Sequence, residues 1–436
     1  MAIVNRSFSA THPLRKDALA IFEAGYRAVD IETLTRRRVR MQGNVLSVSD
    51  VARTYRIDLS GVGRLWVIGF GKGSHAAVSV IAGIAGKKLT GAIALDVRNS
   101  SGFLRPSRHV KVFWGTHPRS SSANIRATQY IVRTLETLQE NDLVVFVIGG
   151  GGSSLLCGSH DERVCCSTVF DALTRKGVSI KELNTVRKHL SAVKGGGLAY
   201  ITYPARSVSL IVSDVCGNDF STIASGPTVY DPTSVADAQA VLRRYDIPYR
   251  KLRFIETLKN KKYFTRASHF LLACNEDALV AMQAKARSLG YRSSIVSLAW
   301  EGDAHRIFAS LARRIRRGEA LLIGGETTVK LSKKSGRGGR NQEAVLAAVA
   351  QACEGKLSLS GTLVASVSSD GWDNTPVAGA LADAETVKRI VARGIDPEPY
   401  LLSNNSFAFF KRAGGHVVVK RRSFNVSDLM LVMREK

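Results

Sequence analysis

Leu65-Trp-Val-Ile-Gly-Phe-Gly-Lys-Gly-Ser74 is an apolar run that breaks into alternating glycines, and its reading decides the fold. The run is short enough for a buried strand, and Ala76 to Ala85 beyond it suits a helix. Strand, glycine turn and helix N-terminus in that order make an anion-receiving corner, because backbone N–H groups and the helix dipole point at whatever fills the loop. Lys72 adds a mobile positive charge. A second run, Leu143-Val-Val-Phe-Val-Ile148, ends in Gly149 to Gly152, then Ser153 and Ser154. Four successive residues without Cβ cost conformational entropy and let a ligand touch the backbone. Gly69, Gly71, Gly150, Gly151, Gly152, Ser153 and Ser154 are therefore expected to contact an anionic ligand, with a ligand-free glycine turn as the alternative at the first loop.

Working outward, the same alternation continues. Val208 to Val212 is a strand leading to Ser213-Asp214, and a carboxylate at the end of a buried strand lies where open α/β sheets place their chemistry. Phe270 to Cys274 restarts the pattern. Leu321-Leu-Ile-Gly-Gly-Glu-Thr-Thr-Val329 is an interrupted strand, and a basic loop from Lys333 to Gly339 runs into Arg340-Asn-Gln-Glu343 at a helix start. Leu363 to Val367 leads to Ser369-Asp-Gly-Trp-Asp373. Asp370 and Asp373 have the chemistry to hold Mg²⁺ or orient a hydroxyl, and also that of an Asp-Gly turn. Strands alternating with helices over the whole length predict two α/β domains. The expected division is 1–235, a polar connection over 236–265, and 266–436.

Asn184 to Ala199 carries Arg187, Lys188, His189 and Lys194, with Val186, Leu190 and Val193 at helical spacing. That predicts an anchored helix with a basic face. The 436 residues carry 62 Lys plus Arg against 36 Asp plus Glu, a net charge of +26, so nucleic acid has to be considered as a partner. The basic residues are spread over the chain, and no finger spacing or RNP-like strand accompanies them, so no specific nucleic acid is expected. Six cysteines without a Cys-x-x-Cys pair exclude a zinc cage of that spacing and suit a reduced compartment. No apolar stretch is long enough to span a bilayer, and no signal-peptide pattern opens the chain, so a cytoplasmic protein is expected. A nicotinamide fold would want Gly-x-Gly-x-x-Gly and an acidic residue about 20 positions on. Ser74 stands in the third glycine's place and Asp96 ends the next apolar run, which leaves a hydroxypyruvate reductase as an alternative.

Eight segments, taken in order, carry a resemblance: Val67 to Lys72, Ile148 to Leu156, Asn184 to Ser191, Ser213 to Val215, Ile223 to Thr228, Gly324 to Val329, Gly338 to Glu343, and Ser369 to Gly371. The chain resembles the glycerate 2-kinase family, whose C-terminal half is the MOFRL domain. The resemblance implies a Rossmann-like N-terminal domain, a smaller α/β C-terminal domain, and an active site in the cleft between them. It implies ATP and Mg²⁺ as cofactors, D-glycerate and ATP as small-molecule partners, and a monomer or homodimer. Carried over by position, Lys72, Asp214 and Arg340 are the expected catalytic residues. Lys194 joins the nucleotide loops, while Asn184, Arg187, Lys188, His189, Glu326, Thr327 and Asn341 are expected around the substrate. Asp214, Asp370 and Asp373 are expected to hold the metal. The chain departs from the family pattern at Val419-Lys-Arg-Arg-Ser-Phe-Asn425, where glycines give way to three cations. That departure leaves a catalytically impaired, polyanion-binding relative as a further alternative.

Overall fold

The computed structural model describes residues 2–5, 12–50, 52–98, 109–422 and 424–436. They form two compact units, each α/β. One comprises Ile31–Ser213 and Asn218–Ala273; the other comprises Met1–Asp30, Asp214–Gly217 and Cys274–Lys436.

The first unit is built on six parallel strands, ordered Val110–Gly115, Leu89–Val97, Leu65–Phe70, Leu143–Ile148, Arg206–Val212 and Ala267–Ala273. Counted along the chain this is the order 3-2-1-4-5-6 of a doubly wound dinucleotide-type sheet. Leu143–Ile148 is buried at every position, which explains why the run is continuously apolar rather than alternating. Strand order reverses between Leu65–Phe70 and Leu143–Ile148, so both glycine loops leave the sheet at its switch point. A small antiparallel sheet, Val39–Gln42, Val45–Ser49 and Thr54–Asp58, belongs to the same unit.

The second unit has a mixed six-stranded sheet, ordered Arg292–Asp303, Glu319–Thr328, Asp428–Arg434, Thr362–Ser368, Gly379–Ala382 and His416–Val417. Only its first pair is parallel. Helix Arg340–Cys353 lies in its core, with Ala344, Val345, Leu346, Ala348 and Val349 buried.

Two boundaries differ from expectation. The stretch 236–265 is not a connection: helix Val235–Arg244 packs Ala238, Val241 and Leu242 with Leu183, Val186 and Leu190. On that helix the polar residues lie opposite the buried Ala238, Val241 and Leu242. The N-terminal helix Pro13–Ala28 belongs to the C-terminal unit, where it packs on Asn275–Ser288. Buried Arg15 forks onto Asp383 at 2.6 and 2.5 Å, and the Tyr26 hydroxyl donates to the Ser368 carbonyl at 2.8 Å. The apolar stripe of that helix marks burial without marking the partner.

Candidate active site

The glycine loops at the switch point hold each other. Gly149 N–H donates to the Phe70 carbonyl at 3.0 Å and Lys72 N–H to the Gly150 carbonyl at 2.9 Å. Gly71 sits at φ +111°, and a Cβ there would lie 2.4 Å from the Gly149 oxygen. A Cβ on Gly152 would lie 2.6 Å from that of Ala224. Much of the glycine content thus serves backbone contact between loops. The helix opening at Ser74 is also not free to receive an anion: Asp96 accepts from Gly73 N–H at 3.2 Å and His75 N–H at 3.0 Å. Burial raises the Asp96 carboxyl to about 6 against these bonds. Asp96 is therefore a buried cap, which removes the acidic residue on which the nicotinamide reading rested.

What remains open is a cationic centre. The half-buried Lys72 ammonium makes no hydrogen bond or ion pair among the described residues, and the same holds for Arg187, whose guanidinium stacks on Phe170 at 4.5 Å. His117, which follows strand Val110–Gly115, joins them. A Cβ on Gly151 would lie 2.8 Å from its ring. Burial, then Lys72 and Arg187, lower the imidazole to about 4, so it is neutral at pH 7. Arg187, Arg119, Ser153 and Ser154 line a small hollow of about 30 Å³ beside the loop. Ser153 is held by a 2.8 Å bond to Ser225, whose hydroxyl donates to Asn184 Oδ1 at 3.0 Å, and Asn184 in turn donates to the Thr222 carbonyl. Asn184 is buried, so it positions the loop instead of touching a ligand.

The other cations expected here are structural. The helix ends at Lys188, because the chain turns at His189 and again at Gly195 and Gly196, both with positive φ. Lys188 turns inward onto Asp231 at 3.2 Å. His189 is fully buried between the Thr185 and Thr233 carbonyls, with Glu256 Oε1 at 3.2 Å. Lys194 pairs with buried Glu162 and donates to the Leu156 carbonyl at 2.7 Å. The expected basic face is thus an internal ion-pair network, since a buried ammonium persists only when a carboxylate meets it.

In the C-terminal unit, one cavity of about 520 Å³ collects Thr327, Arg340, Asn341, Asp370 and Asp373. Arg340 is not an open fork. Its Nε donates to Asp428 at 2.5 Å and its Nη2 to Glu326 at 2.8 Å. Burial raises the acids of Asp428 and Glu326, and those two carboxylates raise Arg340 in return against its own burial. Asp373 caps helix Arg340–Cys353, accepting from Asn341 N–H at 3.1 Å and Gln342 N–H at 2.9 Å. Gly339 permits this, as a Cβ there would lie 2.3 Å from the carboxylate. Asn341 is buried between Asp373 and Ser366. Asp214 anchors through its carbonyl, which accepts from Ser427 Oγ at 2.9 Å. Among the described residues no three acidic, His or Cys groups gather as a metal set, so Asp214, Asp370 and Asp373 do not form the expected Mg²⁺ site. Sequence reasoning passed over His117, although a Thr-His-Pro step at the end of a strand was the available signal. Glu162 and Asp231 carried none, because their partners are distant in sequence.

A doubly wound sheet with cations gathered beside its switch-point loops is an architecture that enzymes use for small-molecule substrates. Family models described as "Domain of unknown function (DUF4147)" and "MOFRL family" match residues 17–256 and 319–428. A protein of Agrobacterium vitis provisionally named a hydroxypyruvate reductase is 37% identical over 390 residues, covering 85% of this chain and 87% of the relative. D-glycerate 2-kinase of Thermotoga maritima is 32% identical over 385 residues (84% and 90%), and glycerate 2-kinase of Pyrococcus horikoshii is 31% identical over 452 (95% and 98%). The crystal structure of the Thermotoga maritima glycerate kinase superposes with a TM-score of 0.81 at 28% identity, over 97% of this chain and 99% of that one. The chain belongs to the glycerate 2-kinase family of enzymes. Among the described residues no helix is long and apolar enough to cross a membrane.

Proposed function

We propose that the chain transfers the terminal phosphoryl group of ATP to D-glycerate, giving 2-phosphoglycerate. The observation that carries this reading is the pair Lys72 and Arg187, cations that enter no close ion pair among the described residues, beside the glycine loop Gly149 to Gly152. Phosphoryl transfer is chiefly positioning and neutralisation of charge, which such a pair supplies. Three residues were open to the glycerate carboxylate by charge alone. Lys188 is spent on Asp231, and Arg340 on Asp428 and Glu326. Arg187 is therefore assigned the carboxylate, Lys72 the transferred phosphate, and neutral His117 a hydrogen bond from the substrate hydroxyl. Magnesium enters with the nucleotide as part of the substrate, and no step is assigned to a protein-held ion.

The test is ADP release by purified protein with ATP, Mg²⁺ and D-glycerate, followed by identification of the phosphoglycerate formed. Arg187→Lys keeps the charge and loses the fork, so KM for glycerate should rise at least tenfold with KM for ATP little changed. The reductase name of the Agrobacterium vitis relative motivates a parallel assay. NADH oxidation with hydroxypyruvate, and no ADP release with glycerate, would replace this reading.

A further inference from the structure

The 520 Å³ cavity of the C-terminal unit has a chemistry opposite to that of the cationic centre. Arg340, the one cation among the described residues of its wall, already spends Nε and Nη2 on Asp428 and Glu326. Glu343, Asp370, Asp373 and Asp428 supply negative charge, so a free carboxylate or phosphate is disfavoured inside. Apart from Arg340 Nη1, the groups left open are neutral or accepting. The Asn374 amide and the Asn425 amide nitrogen make no hydrogen bond among the described residues, while Asn425 Oδ1 accepts from Ser369. Asp370 Oδ1 accepts from Ser368 Oγ and Trp372 N–H, which leaves its other oxygen for a ligand hydroxyl. Trp372 lines the cavity with 38% of its surface exposed, and Arg421 lies over the indole at 4.4 Å, holding the ring in place. A flat apolar wall, amides that both donate and accept, and an acceptor for hydroxyls together suit a neutral ring joined to a sugar.

We infer that this cavity binds the nucleoside part of the nucleotide, with Trp372 stacking on the base and Asp370 and Asn425 taking ribose hydroxyls. The inference rests on the ATP-dependent kinase reading, and deepens it by naming the part of the nucleotide that this cavity takes. Two variants test it in the full-length protein. Trp372→Ala removes a partly exposed ring. Asn374→Gly removes the amide at φ +52°, where glycine is at ease, so the backbone is not strained.

Each variant should raise KM for ATP about tenfold or more and leave KM for D-glycerate within about twofold. Unchanged KM for ATP in both, in enzyme that turns over, overturns the inference while leaving the kinase reading intact. Saturation-transfer NMR with adenosine alone gives a readout that needs no turnover. Wild type should show transfer to the base protons and Trp372→Ala should lose it. Equal transfer in both, or none in wild type, overturns the inference. Absence of ADP release by wild type with glycerate counts against the kinase reading instead, and the adenosine result then decides the cavity separately.

Discussion

Replacing Glu162 by Gln tests whether Lys194 belongs to the fold or to the substrate. Lys194 is 3% exposed and Glu162 6%, and the Lys194 ammonium has three partners: Glu162, the Leu156 carbonyl at 2.7 Å and Ser191 Oγ at 3.4 Å. The carboxylate raises the lysine above its ordinary value against the opposing effect of burial. Gln keeps the shape and one acceptor but removes the charge, leaving a buried ammonium uncompensated. Breaking one side of a buried pair costs about 3–5 kcal/mol, and the retained acceptor puts this variant near the lower end, about 3 kcal/mol. For a unit of some 240 residues that is a fall in melting temperature of about 6–12 °C. Differential scanning calorimetry on the full chain reads it directly. The double variant Glu162→Leu, Lys194→Met, which removes both charges and keeps the volume, should recover most of the loss. A melting temperature within about 2 °C of the parent for Glu162→Gln, together with a tenfold rise in KM for ATP, would refute the argument and return Lys194 to the nucleotide.

Lys72→Ala should lower kcat by more than tenfold with melting temperature nearly unchanged, since the ammonium has no hydrogen bond or close ion pair among the described residues to lose; steady-state kinetics and a thermal shift check both halves. Arg340→Lys should be felt as instability, because a single ammonium cannot bridge both Asp428 and Glu326; about 2–4 kcal/mol is expected from an underpaired buried carboxylate, read by urea unfolding. Asp96 sets a pH dependence: burial pushes its carboxyl up to about 6 in the folded state, against an ordinary 3.8 in the unfolded chain. The folded state therefore binds the extra proton between these values, and this contribution to stability grows as pH falls from about 6 to 4. Asp96→Asn should lose that component, so the melting temperature of the variant minus that of wild type should drop between pH 7 and pH 5.

Local pattern was enough for the architecture. An all-apolar run such as Leu143 to Ile148 can only be a strand covered on both faces, and a glycine break before a helix places its loop at the carboxyl end of the sheet. Two α/β units and a glycine loop at Lys72 at the carboxyl end of the sheet follow from that without any long-range information. Arg187 and the serines after Gly152, which the sequence singles out, line one small hollow in the folded chain.

Which charges are open to a substrate was a tertiary decision. Arg187, Lys188 and Lys194 are equivalent in sequence, yet Lys188 meets Asp231 and Lys194 meets Glu162, 43 and 32 residues away. Arg340 likewise meets Asp428 across 88 residues, and Asp373 caps a helix that starts 33 positions earlier, at Arg340. Periodicity and spacing report which side of an element is buried, because burial follows the local repeat of side chains. They carry no information on which carboxylate arrives opposite a given cation, because that depends on loop closure over tens of residues. Buried charge is tolerated only when paired, so the fold consumes some cations and leaves others, and the ones left over are the candidates for substrate contact.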